Sequence, residues 1–319
     1  MHPALSVVFL TTLIGAGQGL LVVLFGAELA HVLARAPIDP IRAFLVCGSA
    51  VALVLTALGL VASIFHLGRP ARGWRAAAAW RTSWLSREVI VMPAFMAAVF
   101  AYGWVHLAGL PWSLAIGAVG VLLALALFVC TGMIYAAVRA IREWATPLTV
   151  VNYTLLGIAS GSTLAAALAA LTAPALTPTL AWLAAAATAL AGVGRLAALA
   201  RNARLRPVTT PQTAIGIKHP RIVQRSQGAM GGSFNTREFF HGRDERFVAT
   251  VRRVFLLLAF VLPLALLLFG TGSGARGSAA AQFAVLLSFP VQFVGLLAER
   301  WFFFAQANHT QNLYYRSVA

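Results

Sequence analysis

Cysteine and negative charge are scarce in this chain. Only two cysteines occur, Cys47 and Cys130, each inside an apolar run and neither in a C-x-x-C pair. Thiolates of the chain itself therefore cannot hold an iron-sulfur cluster or a structural zinc. Aspartate and glutamate number 8 against 24 lysines and arginines, and charged residues make up only 10% of the 319 positions. That is too little polarity for a soluble domain of this length. Strand-like alternation is missing from the long apolar runs, which argues against a membrane β-barrel. The opening Met1-His2-Pro3-Ala4 has neither a basic leader nor a small-residue cleavage site, so the first apolar run reads as a retained helix and not as a signal peptide.

What is present is hydrophobic, at 60% of the residues. Eight runs of about 20 or more apolar residues are long enough to cross a bilayer as helices. They cover 5–33, 41–66, 87–108, 112–141, 148–172, 178–200, 248–270 and 279–304. The expected fold is an all-α integral membrane protein, a single polytopic domain over 1–319, with a long connector at 202–247 between helices 6 and 7. Eight spans put both termini on one side. Of the 24 lysines and arginines, 21 fall on that side, against Arg35, Arg42 and Arg276 on the other. The positive-inside rule then expects both termini and the basic connectors in the cytoplasm. The formal charge of +16 sits in arginines beside the spans. It points to lipid head groups and a protein partner, with no nucleic acid.

Two connectors stand out. Within 202–247, the stretch Gly228–Gly242 reads G-A-M-G-G-S-F-N-T-R-E-F-F-H-G. Glycines suited to tight turns, three phenylalanines and an arginine suggest a docking segment for a partner subunit rather than a solvated loop. The second, Ser63–Val89, is basic and rich in tryptophan. It places His66 at the end of one span and Glu88 at the start of the next, with Arg69, Arg72, Arg75, Arg81 and Arg87 between them. Ionisable groups at membrane depth are costly and mark function by default. A histidine titrating near neutrality suits proton-coupled redox at a membrane surface, and Gly68 and Pro70 would end the helix just after it. Glu88 is either a helix-start carboxylate, with Ser86 as a possible N-cap, or a proton exchanger facing His66. Arg69 and Arg72 are candidates to orient quinone oxygens, although most of the arginines fit the positive-inside signal. Trp74, Trp80 and Trp84 fit an interfacial belt, in which Trp74 or Trp84 would wall a quinone ring.

Other features weigh less. Glu28 and His31 share a side of the first helix, and His106 ends the third helix on the same side of the membrane, a candidate proton exit path. The histidines offer no obvious facing pair for haem, and no metal site is expected. Gly15 and Gly19, with Gly17 between, form a G-x-x-x-G suited to close helix contact, and Gln18 could hydrogen-bond there.

The eight spans, the H-L-G-R-P after the second and the W-L-S-R-E opening the third resemble the membrane anchor subunits of the dimethyl sulfoxide reductase family, DmsC. The resemblance covers the whole topology, and its specific motif lies in Ser63–Val89. It implies a quinone-binding anchor, for ubiquinone or menaquinone, that holds an iron-sulfur subunit and a molybdopterin catalytic subunit at the membrane. His66 matches the family's quinol-site histidine and Glu88 its nearby carboxylate. The long 6–7 connector and the opening L-T-T-L-I-G-A-G-Q-G-L look more like the anchors of cytoplasmic sulfite dehydrogenases within that family. Electrons would then run from sulfite into quinone. A quinol-oxidising reductase anchor is the alternative, and a stand-alone transporter using Glu28 and Glu299 is a reading from another class.

Overall fold

The computed structural model describes residues 3–65, 69–206, 210, 212–213, 216–222, 243–272 and 278–308. Among them, eight helices are long and apolar enough to cross a membrane, and no strand occurs. They are α1 (Leu5–Leu33), α2 (Asp39–Ile64), α3 (Trp84–Ala108), α4 (Ser113–Ala136), α5 (Pro147–Thr172), α6 (Thr177–Ala203), α7 (Glu245–Thr271) and α8 (Ala279–Ala305). The shortest, α4, has 24 residues, which at ~1.5 Å per residue exceeds the ~30 Å of a hydrocarbon core. Successive spans run in alternate directions, joined by short connections except after α2 and α6. The starts of α1, α3, α5 and α7 therefore share a face with the ends of α2, α4, α6 and α8, called here the termini face.

Local chemistry sets the helix ends. Ser83 accepts a hydrogen bond from the Ser86 amide, so α3 begins at Trp84, earlier than the 87 expected, and Ser83 rather than Ser86 is its N-cap. Thr146, Asp244 and Ser278 cap α5, α7 and α8 in the same manner. Gly109, at φ 67°, ends α3 in the left-handed conformation that favours glycine. Helix α4 stops at Ala136, short of the 141 expected, because the chain turns and tucks Ile141 and Trp144 into the interior. Residues Pro70–Ala79 form a 3-10 helix within the basic connector.

The same packing pattern occurs twice. In the first half α1 packs on α2 and α4, α2 on α3, and α3 on α4; in the second, α5 packs on α6 and α8, α6 on α7, and α7 on α8. The halves meet mainly through α1 and α5, which bury 72% of their apolar stretch against 33–39% for the other six helices. This seam is built on glycine. A Cβ on Gly19 would strike the Gly157 carbonyl, and one on Gly161 would strike the backbone of Gly19 and Leu20. The G-x-x-x-G of α1 therefore meets a matching Gly157 and Gly161 pair on α5, while Gly17 lets Ala52 and Thr56 of α2 approach from another side. Gln18 bonds the Ala124 carbonyl of α4 at 3.4 Å rather than α5.

Helix α7 contains one irregularity, a π-helical turn at Leu257–Val261. Gly295 of α8 presses against Leu258 and Ala259 there, and Gln292 donates to the Ala259 carbonyl at 3.3 Å and to Thr188 of α6 at 3.0 Å. The widened turn gives a side chain of α8 access to a backbone carbonyl of α7.

Candidate functional site

Glu88 sits one turn into α3, on the termini face, and is 6% exposed. Thr131, near the end of α4, donates its hydroxyl to Glu88 Oε1 at 2.5 Å. Beside the pair lies a narrow cavity lined by Gln18, Glu88, Thr131, Tyr153, Ser160 and Arg300, among others. Its water-accessible volume is about 20 Å³, enough for one water molecule and far below the several hundred Å³ of a ligand pocket. Glu88 thus faces inward, toward α4 and the cavity. His66 lies outside the described residues, as does Gly228–Gly242.

The basic connector presents a different character. Arg69, Arg72, Trp74 and Trp80 are exposed, and Trp84 is half-buried at the start of α3. Arg75 lies over the Trp74 ring at 5.5 Å, Arg81 over Trp80 at 5.3 Å and Arg87 over Trp84 at 4.2 Å. Arg87 also donates to the carbonyls of Trp80 and Arg81, both at 2.9 Å, which ties the connector to α3. Paired guanidinium and indole groups of this kind suit a membrane interface, where one side of the ring is apolar and the other wet. Ser86, 3% exposed, lies in the first turn of α3.

A second buried polar cluster surrounds Glu299, which the sequence offers only as a transporter residue and without its partners. Arg195 of α6 is ion-paired with Glu299 of α8 at 2.7 Å, and Arg300 approaches the other Glu299 oxygen at 3.6 Å. All three are 5% exposed or less. The Arg300 guanidinium lies over the Tyr153 ring at 3.7 Å. Tyr153 stacks on Tyr135, which joins Trp144, Phe303 and Phe304 in an aromatic cluster. The charge count takes Arg195, at the end of the run 178–200, together with the following connector, yet it belongs to the interior. Its signal was an arginine within the apolar run 178–200.

At the opposite face, Glu28 gathers partners from two other helices. It accepts from Tyr102 at 2.7 Å and from Ser113, and His106 Nε2 lies 3.4 Å from it. Glu28 and His106, which the sequence puts on one side of the membrane, meet here, but His31 does not join them. Its Nδ1 lies 2.9 Å from the Ala27 carbonyl of its own helix. Among the described residues, no group of three His, Cys, Asp or Glu side chains converges as metal ligands.

Comparison with known proteins agrees with this architecture. The chain is 50% identical to the sulfite dehydrogenase C subunit of Allochromatium vinosum, in an alignment covering the whole of both chains. The family model described as "DMSO reductase anchor subunit (DmsC)" matches residues 1–305, from the start of the chain to the last residue of α8. The match takes in all eight spans, and the chain is a member of the DmsC family of DMSO reductase anchor subunits.

Proposed function

We propose that this chain is the quinone-reactive membrane anchor of a molybdenum and iron-sulfur oxidoreductase, and that it passes electrons from sulfite oxidation to membrane quinone. The observation that carries the reading is Glu88, a buried carboxylate held by one hydroxyl, beside a water-sized cavity and just behind the basic connector. Full-length likeness to a sulfite dehydrogenase subunit supports the sulfite direction. When bound, ubiquinone or menaquinone supplies an acceptor for two electrons and two protons. The cavity beside Glu88 is too small for the ring. The connector suits it better, because guanidinium groups match carbonyl oxygens and indole faces match a planar ring. The holding residues would be His66, Arg69, Arg72, Trp74, Trp84 and Ser86. His66 would donate a hydrogen bond to a quinone oxygen, and Glu88, with Thr131 fixing its carboxylate, would hold a proton for it.

The basic termini face, with the 202–247 segment, would dock the iron-sulfur subunit, and the molybdopterin subunit would sit beyond it. On this reading both termini lie in the cytoplasm of a bacterial inner membrane. A second reading, a quinol-oxidising anchor of a terminal reductase, is favoured by the family's description as a DMSO reductase anchor. The stand-alone transporter finds no such support, and its ionisable residues lie toward helix ends rather than at the midplane that transporters commonly use.

Activity of the purified complex separates the two directions. Sulfite-dependent quinone reduction is expected, and turnover with dimethyl sulfoxide instead of sulfite would reverse the assignment. His66→Ala should lower quinone-linked electron transfer by about 10²-fold or more while the complex still assembles. Failure to assemble, with quinone chemistry intact in what remains, would make His66 a structural residue.

A further inference from the structure

The cavity beside Glu88 has a neighbour. A second buried space lies between α5, α6, α8 and the α4–α5 connector, lined by Glu143, Asn152, Tyr153, Arg195, Glu299 and Arg300. Tyr153 and Arg300 line both spaces and so form the wall between them. Four polar atoms of the second space are buried without a hydrogen-bond partner among the described residues: Glu143 Oε2, Asn152 Oδ1, the Tyr153 hydroxyl and Arg195 Nη2. Asn152, Tyr153 and Arg195 are 5%, 4% and 2% exposed. Native interiors do not leave so many donors and acceptors unpaired side by side; ordered water satisfies them. The space measures about 10 Å³ to a water-sized sphere, the lower limit for one molecule.

The far end of this space reaches the termini face. Glu143 lies in the α4–α5 connector, where exposed Arg142 donates to the Arg206 carbonyl at 2.8 Å and accepts from Arg201 at 3.0 Å. These bonds fasten the connector over the end of α6. The charges inside are balanced, with Glu299 and Glu143 facing Arg195 and Arg300. A passing proton therefore meets no uncompensated positive charge.

We infer that the two spaces are hydrated and form one proton path between Glu88 and the termini face, with Tyr153 and Arg300 at its narrow point. Protons enter beside Glu143, cross by hops through water and the Tyr153 hydroxyl, and arrive at the Glu88 carboxylate. Two arrive for every two electrons delivered to a quinone, so the reduction balances. The use made of the protons rests on the function proposed above; the hydration does not.

Brief X-ray radiolysis of the whole complex tests hydration directly, because ordered water beside a side chain yields hydroxyl radical on the spot. Tyr153 should be oxidised, whereas Phe95, buried in the core away from both spaces, should not. An unmodified Tyr153 overturns the inference whatever the quinone activity. In the second arm, Glu143→Gln should slow sulfite-to-quinone turnover about tenfold and raise its solvent isotope effect, with partial rescue by a small weak acid. Rates are normalised to sulfite oxidation with a soluble acceptor. Unchanged turnover and isotope effect in a hydrated protein overturn the path. If the wild-type complex does not reduce quinone, the functional reading fails separately. Infrared deuterium exchange at the Glu88 carboxyl then decides, being slowed by Glu143→Gln if the path exists and unchanged if it does not.

Discussion

Glu88 and Glu28 are both buried carboxylates near the ends of spans, yet their surroundings differ in kind. Glu28 has hydroxyl donors on both oxygens and a histidine beside it, drawn from α3 and α4, and so binds three helices together. Glu88 has one hydroxyl and a cavity. A carboxylate so sparsely held remains free to exchange a proton, whereas a fully clamped one is better suited to holding helices in place. Thr131→Val keeps the shape of the side chain and deletes the donor. It is expected to cost about 1–3 kcal/mol in thermal unfolding of the detergent-solubilised complex, with Thr131→Ser restoring the loss. An unchanged melting temperature in the valine variant would show that water replaces the hydroxyl. Both glutamates were legible in the sequence as charges in apolar surroundings. Thr131 was not, since a threonine in an apolar helix usually bonds its own backbone, as Thr56 and Thr163 do here. Arg195 reads as a helix-end charge because the polar tail of α6 follows it closely, yet it lies eight residues before Ala203, about 12 Å into the span.

At the scale of elements, all eight spans were legible because length and hydropathy suffice to mark them. Their ends were less so. Ser83 starts α3 before the arginine-bearing turn that had looked like connector, and the inward tuck of Ile141 and Trp144 stops α4 early. Which helix touches which was not legible at all. The spans are apolar on every side, so no periodicity marks the face that meets a neighbour. Glycine spacing was the one clue, and it marked the α1 side of the central seam without naming α5. Since Gly161 faces the backbone of Gly19 and Leu20, no side-chain adjustment can relieve a larger residue there. Gly161→Leu is expected to destabilise the protein by about 3 kcal/mol, read as a fall in thermal stability in detergent. Gly26→Leu, at a position with nothing nearby, serves as the control and should leave the transition in place.

For the whole molecule, the asymmetry between faces matters most. The Glu88 cavity, the Arg195–Glu299–Arg300 cluster and the basic connector all belong to the termini face, where α6 also ends and α7 begins. One surface would then receive both the partner subunits and the protons. Deleting Gly228–Gly242 is expected to release the catalytic and iron-sulfur subunits from washed membranes while leaving the anchor inserted. Continued membrane attachment of those subunits would refute the docking role of the segment. The glycine seam between α1 and α5 also bears on how the protein is made. Gly157 follows Gly15 by 142 residues, which at ~5–20 residues per second takes a ribosome on the order of ten seconds. Throughout that interval the exposed backbone groove of α1 faces lipid or the insertion machinery, and the two halves can close only after α5 has emerged.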